Sequence, residues 1–276
     1  MKAFADGNNY IIKRIKNLDL AQTLDCGQAF RWSVDADGVW SAVVGKRVCR
    51  VAQKDDSITF FDCDEQFFCE FYKKYFDIDR DYGEVLSAIS ENEILKNASD
   101  VASGIRILRQ DAWETICSFI ISQNNNIPRI KGIIDRLCSN FGEDLGNGYY
   151  TFPSAEKIAH LSVDDLSVIR SGFRAKYILD AAKKLTSGEV SIAKIETLST
   201  ADAKIELMKI YGVGEKVAEC VLLFAFARMD AFPKDVWIKR AMRKLFDGNL
   251  PECAKDYAGI VQQYIFHYAR ITKLDV

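Results

Sequence analysis

The hydrophobic period changes once along this chain of 276 residues, and that change constrains the fold more than any single motif. Between Leu18 and Asp62, aromatic and β-branched residues recur at strand spacing. Trp40, Ala42 and Val44 alternate with their neighbours, Val48 and Val51 do so less regularly, and turn signals fall at Asp37-Gly38, Gly45-Lys46 and Lys54 to Ser57. Side chains two apart share one face of a strand, so the pattern predicts an antiparallel meander with one buried face. From Glu65 the helical period takes over and persists to the end. Strands followed by a run of helices give an α+β reading: an N-terminal antiparallel sheet unit (1–100) and a mainly helical unit (101–276).

The helical part is well punctuated. Asp111 and Glu114 have capping-box spacing before the apolar run Ile116 to Ile121. Pro128 marks a helix start, and that helix runs to about Asn140 before Gly142. Ser154 and Ser162 are caps of short helices, and Arg174 to Thr186 form another that closes near Gly188. Ala203 to Ile210 and Glu215 to Ala227 form a pair joined by Tyr211-Gly212-Val213-Gly214. Asp235 caps a helix ending near Asp247-Gly248, and a last helix covers about Glu252 to Arg270.

Composition removes several classes of function. The chain is 49% hydrophobic and 28% charged, as in ordinary soluble globular proteins. Its longest apolar run, Val217 to Ala227, is interrupted by Glu219 and is too short to span a bilayer. Met1 to Asn9 lack a signal-type apolar run, so a cytoplasmic protein without a membrane partner is expected. The 8 cysteines form no CxxC pair and read as reduced thiols, several of them in the core. His160 and His267 stand far apart, which argues against histidine-built zinc sites and serine–histidine triads. Net charge is −2, yet Arg170 to Lys184 and Lys234 to Lys244 are locally basic, and nucleic-acid binding depends on such local distribution. Taken alone, basic helix faces of this kind are ordinary solvated surface.

Chemistry concentrates around the Gly212-x-Gly214 turn. Glycines there let the backbone bend sharply and let amides approach a phosphate oxygen, although an ordinary tight helix–helix turn has the same pattern. Lys216 lies in the first turn of the following helix, where the dipole disfavours a cation and the neutral amine would be a nucleophile. It could equally be a surface lysine paired with Glu219 one turn later. Asp235 follows Phe232-Pro233-Lys234; it can serve as an N-cap or stabilise positive charge on a sugar ring losing its base.

Together these residues resemble the helix-hairpin-helix DNA glycosylases, and other blocks narrow the resemblance to their 8-oxoguanine branch. The blocks are Cys26-Gly27-Gln28-Ala29-Phe30-Arg31-Trp32, Ser122-Gln123-Asn124-Asn125-Asn126-Ile127-Pro128-Arg129, Gly172-Phe173-Arg174-Ala175-Lys176-Tyr177 and Gly214-Glu215-Lys216-Val217-Ala218-Glu219-Cys220. They spread the resemblance over nearly the whole chain, in the family's order. The resemblance implies two helical lobes with a DNA cleft between them, and a monomeric enzyme acting on double-stranded DNA that contains oxidised guanine. It implies that Lys216 attacks the sugar to form a Schiff base and that Asp235 stabilises the developing cation, giving a glycosylase with lyase activity.

The same resemblance assigns the remaining roles. Gly27 would accept, at its carbonyl, the proton that distinguishes the oxidised ring. Phe266 and Cys220 would sandwich the base, and Gln262 would bond its edge. Asn124 and Arg129 would meet the orphaned partner base, with Phe173 as the wedge filling the stack and Arg174 beside it. Gly212, Gly214 and Trp237 would lie along the DNA backbone. Without the family, Cys220 and Phe266 read as core, Gln262 and Arg129 as surface, Asn124 as part of a helix C-cap, and Gly27 as a turn glycine. A monovalent cation at the carbonyls of Met208, Ile210 and Val213 is a family expectation. No other cofactor is expected, because only Cys253 follows Asp235 and a four-cysteine iron–sulfur site cannot form there. Phe173 replaces the tyrosine, and Trp237 the histidine, of the eukaryotic lesion-specific enzymes, while Pro128 interrupts the motif before Arg129; these departures bear on opposite-base preference. Two other readings stay open: an alkylpurine glycosylase using the aspartate and water, and a non-catalytic hairpin DNA-binding protein.

Overall fold

The computed structural model describes residues 2–272. Six antiparallel strands, β1 (Lys2–Asp6), β2 (Asn9–Lys13), β3 (Ser33–Val34), β4 (Val39–Val44), β5 (Arg47–Lys54) and β6 (Ser57–Phe61), form one sheet in the order β1-β2-β6-β5-β4-β3. Val51 sits at its centre, opposite Trp40 on one side and Phe60 on the other. The meander is thus the one read from the alternation, with two corrections. The sheet gains the β1–β2 hairpin upstream of Leu18, and Leu20–Leu24 is a helix, α1, capped by Asp19. All five residues of β1 are exposed, so no alternating apolar face announces the strand.

The sheet's buried face (Ile12, Val51, Ile58, Phe60) packs on a helical segment containing α2 (Glu65–Phe67) and α3 (Lys73–Tyr75). Phe60 meets Tyr72 and Phe68 with ring centroids 4.6 and 5.1 Å apart. The helical region comprises α4 (Tyr82–Ile89), α5 (Glu93–Ala102), α6 (Ala112–Ser122), α7 (Ile127–Phe141), α8 (Ala155–Ala159), α9 (Arg174–Ser187), α10 (Ile192–Thr197), α11 (Thr200–Leu207), α12 (Glu215–Phe224), α13 (Val236–Phe246) and α14 (Ala258–Ile271). The last helix is shorter at its start than the periodicity predicts, because Glu252–Tyr257 form a 3-10 turn. Likewise α11 starts three residues early, under the Ser199 cap, and stops at Leu207.

The apolar clusters divide nearer residue 80 than residue 100. Tyr82 to Ala102 pack into the helical core, with α5 along α14, whereas Leu108 returns beneath the sheet. Two buried polar side chains fasten these parts. Arg106 donates to the carbonyls of Lys16, Asn17, Asp77 and Arg80, so one guanidinium satisfies four backbone acceptors. Gln28 donates to the carbonyls of Thr23 and Arg106 and accepts from the Leu108 amide. The Gly27 turn is therefore fixed from the residue after it. Among the described residues, no helix is long and apolar enough to cross a membrane.

Candidate active site

Helices α6 and α12 pack against one another, and this contact places the Lys216 amine. Lys216, in the first turn of α12, is half-buried; its Nζ stands 5.1 Å from the centre of the Phe119 ring and 3.4 Å from Ser122 Oγ, both on α6. Among the described residues Lys216 has no ion-pair partner, since Glu219 pairs with Lys204 instead (3.4 Å). Asp235 is the N-cap of α13, accepting the Ile238 amide at 2.7 Å through Oδ1. A carboxylate has four acceptor sites, so capping leaves acceptor capacity for chemistry.

Both side chains line one cavity of about 790 Å³, together with Gly27, Phe30, Phe119, Ser122, Trp237, Phe266 and the 125–128 turn. That size is suited to a drug-sized or nucleotide-sized ligand. Gly27 has φ +89°, in the left-handed region, and a methyl group there would stand 3.8 Å from Ile127 and 3.9 Å from Phe266. The glycine thus leaves room inside the cavity at a point where its backbone is held.

Two further sequence-predicted base contacts, Cys220 and Gln262, are buried. Cys220 is buried one turn along α12 from Lys216; burial pushes its thiol up to about 11, opposed by the neighbouring lysine charge. Gln262 is only 5% exposed, donates to the Pro233 carbonyl (3.2 Å) and accepts from Gln263 (2.7 Å), so it is no surface glutamine.

The outer rim is built differently. The three asparagines after α6 divide the work: Asn125 donates to the Ile121 carbonyl (3.0 Å), Asn126 caps α7, and Asn124, at φ +46°, is exposed. Arg129 is exposed one turn into α7. Phe173 is 50% exposed at the uncapped start of α9, and Trp237 is 54% exposed. Arg174 requires a correction, because it is not on the basic surface. It is 2% exposed, and its guanidinium donates to the carbonyls of Gln123, Asn124 and Ser171 while stacking 4.4 Å from the Phe173 ring centre. Loop carbonyls without amide partners accept the fork of donors that a lysine could not supply.

At the hairpin, Gly212 has φ +84°, and a methyl group there would overlap the Tyr177 ring, so conformation and space both demand glycine. Gly214 is different: it caps α12 in extended conformation, and a methyl group would meet open space. The Ile210 carbonyl accepts from the Val213 amide (3.0 Å), which leaves it a lone pair. No group of three or more His, Cys, Asp or Glu among the described residues could hold a metal ion.

This geometry has known counterparts. The family model for the 8-oxoguanine DNA glycosylase N-terminal domain matches residues 10–116, and that for HhH-GPD superfamily base excision DNA repair proteins matches residues 117–252. The chain is 32% identical over 255 residues to an N-glycosylase/DNA lyase of Saccharomyces cerevisiae, covering 82% of this chain and 68% of the relative. The chain belongs to the 8-oxoguanine DNA glycosylase family. Among solved structures, the Clostridium acetobutylicum 8-oxoguanine glycosylase/lyase bound to double-stranded DNA with cytosine opposite 8-oxoguanine is 34% identical, with 99% of each chain covered and a TM-score of 0.93. MBOgg1 in complex with a low-affinity DNA ligand is 40% identical over 99% of each chain, with a TM-score of 0.92.

The two matched regions of this glycosylase-family chain meet inside α6, and the cavity straddles that junction. Gly27 and Phe30 come from the first region, Lys216 and Asp235 from the second, and Phe266 from beyond both. Phe119, Ser122 and Gln28 escaped the sequence reading as site residues. Ser122 and Gln28 stood within the family-like blocks, but Phe119 lay in an apolar run indistinguishable from core.

Proposed function

We propose that this chain is a DNA glycosylase with lyase activity that removes 8-oxoguanine from duplex DNA after flipping the nucleotide into the cavity. The observation that carries this reading is the placement of a lysine amine and an aspartate carboxylate on one nucleotide-sized cavity whose wall includes Gly27 and Phe266. Extrusion is required because the sugar's anomeric carbon is unreachable within the stack.

In this mechanism Nζ of Lys216 attacks the anomeric carbon as the glycosidic bond breaks, and the bond's electrons leave with the base. Asp235 stabilises the positive charge on the sugar and receives the proton that the attacking amine sheds. Ring opening gives an imine, and loss of an α-proton then expels the 3′ phosphate by β-elimination. Phe119 keeps water from one side of the amine, and Ser122 orients it through the 3.4 Å hydrogen bond. The Gly27 carbonyl accepts the ring proton peculiar to 8-oxoguanine, held in place by the three hydrogen bonds of Gln28. Phe266 packs on the base, while Cys220 and Gln262 stiffen the wall behind it. A monovalent cation bound at the hairpin would supply fixed positive charge toward a phosphate.

Outside the cavity, Phe173 fills the vacated stack and Asn124 and Arg129 meet the partner base. The first amides of α12 have no side-chain cap at Gly214, and the open space there admits a phosphate oxygen. The test is borohydride trapping with duplexes carrying 8-oxoguanine opposite each of the four bases, beside undamaged duplex. A lesion-dependent covalent adduct supports the assignment, and its yield across the four duplexes gives the partner preference. Release of alkylated bases from methylated DNA, without an adduct, would instead indicate an alkylpurine glycosylase.

A further inference from the structure

Helix α9 carries more than the wedge. Along one stripe, at spacing i, i+4, i+7 and i+11, lie Phe173, Tyr177, Asp180 and Lys184, and each of the last three engages the hairpin before α12. The Tyr177 ring fills the space left by the absent side chain of Gly212. It also stands edge-on to Tyr211, with centroids 4.9 Å apart and an interplanar angle of 87°, and edge-on to Phe173 at 5.7 Å and 70°. Asp180 accepts the Tyr211 amide at 2.7 Å, and Lys184 donates to the Lys209 carbonyl while pairing with Asp180 at 3.5 Å. Lys176 lies 5.4 and 5.5 Å from the Tyr177 and Tyr211 ring centres. Helix α9 thus touches the wedge at one end and, through three residues, the turn that leads into the helix bearing Lys216.

We infer that Tyr177 and Asp180 are positioning residues that fix the distance between the wedge and the nucleophile. A rigid strut makes insertion of Phe173 into the stack and seating of the sugar before Lys216 a single geometric event. Packed side chains without a void transmit displacement instead of absorbing it, and small misplacements at a reacting centre have large kinetic effects. This inference rests on the wedge and nucleophile roles proposed above.

The test compares single-turnover excision from an 8-oxoguanine duplex with imine trapping on a duplex carrying a preformed abasic site, where no base must be displaced. Equilibrium binding is measured alongside. Tyr177→Ala and Asp180→Ala are expected to slow excision about tenfold at saturating enzyme while changing Kd less than about threefold and trapping on the abasic duplex less than about twofold. Tyr177→Phe keeps the ring, and Asp180→Asn keeps an acceptor for the Tyr211 amide; both are expected to restore excision. Wild-type excision in both alanine variants, or equal losses on the two duplexes, overturns the inference. If Tyr177→Ala does not fold, the Asp180→Ala and Asp180→Asn pair decides it alone. Inactivity of the unmutated protein on the lesion duplex would remove the substrate assignment, and this inference with it.

Discussion

Helices α9 and α12 begin alike, each with no side-chain hydrogen bond at its N-cap, yet they turn different side chains inward and outward. At the head of α12, Lys216 is drawn inward against Phe119 and Ser122, and the capping Gly214 has empty space beside it. At the head of α9, Phe173 projects outward, while the next residue, Arg174, is buried and holds three loop carbonyls. The neighbouring helices α6, α7, α8, α10, α11 and α13 all carry a side-chain cap. The contrast suits the two roles proposed for Lys216 and Phe173. A nucleophile must be fixed by packing and partly shielded from water, whereas a wedge must be presented to a partner that arrives from outside and be braced from below.

The contrast can be broken most severely at its inner end. Lys216→Gln should abolish borohydride-trapped adduct and reduce excision by at least about a thousandfold while leaving DNA binding in place. Excision retained by that variant would mean that water is the nucleophile. Asp235→Asn keeps an oxygen to accept the Ile238 amide, so thermal stability should change little, while excision falls about a hundredfold. Unchanged excision would reduce Asp235 to a cap. A smaller effect is expected at Gly27→Ala, where φ +89° costs a side-chain-bearing residue about 1–2 kcal/mol. The methyl group also faces Ile127 and Phe266, so discrimination between 8-oxoguanine and guanine should weaken about tenfold in competitive excision assays. At the outer end, Phe173→Ala should slow base extrusion, read by a fluorescent base analogue, about tenfold, with melting temperature unchanged because the ring is half exposed.

The weakest expected effect is on stability and lies away from both helix starts. Glu114, paired with Arg31 at 3.3 Å and only 18% exposed in its side chain, is pushed by burial from an ordinary 4.5 up to about 7, against the pull of the arginine. Between those values the folded protein holds a proton that the unfolded chain has released. Stability against denaturant should therefore fall as pH rises from about 4.5 to about 7, by roughly 1–3 kcal/mol, and level off above. Glu114→Gln should flatten that slope; a slope unchanged in the variant would place the titration elsewhere.

How much of this was legible in the sequence varies with the physics of each residue. Period-two and helical periods gave the meander and most helices, and caps such as Asp111, Ser154 and Asp235 lie where hydrogen-bonding side chains precede apolar runs. Strand β1 was invisible because it buries no face, and α1 because five residues are too few to show a period. Lys216 and Asp235 were legible through the glycine turn and the Pro-Lys-Asp sequence, and the family-like blocks marked Gly27 and Phe173, whereas Phe266 was assigned only through the resemblance. The burial of Arg174 was not, since two of its three targets are carbonyls of residues some 50 positions away in sequence.

The sequence by itself determined most of the elements, their order and the family, because local periodicity, capping and glycine requirements are properties of neighbouring residues. Only the tertiary structure decided which side chains share the cavity. It brought α6 against α12, so that an apolar-run phenylalanine became the wall beside the amine, and it buried Cys220 and Gln262. It also joined Phe173 to the hairpin through Tyr177, a contact permitted by the missing side chain of Gly212. Such contacts depend on the packing of residues distant in sequence, and burial and close approach are settled only when the whole core condenses.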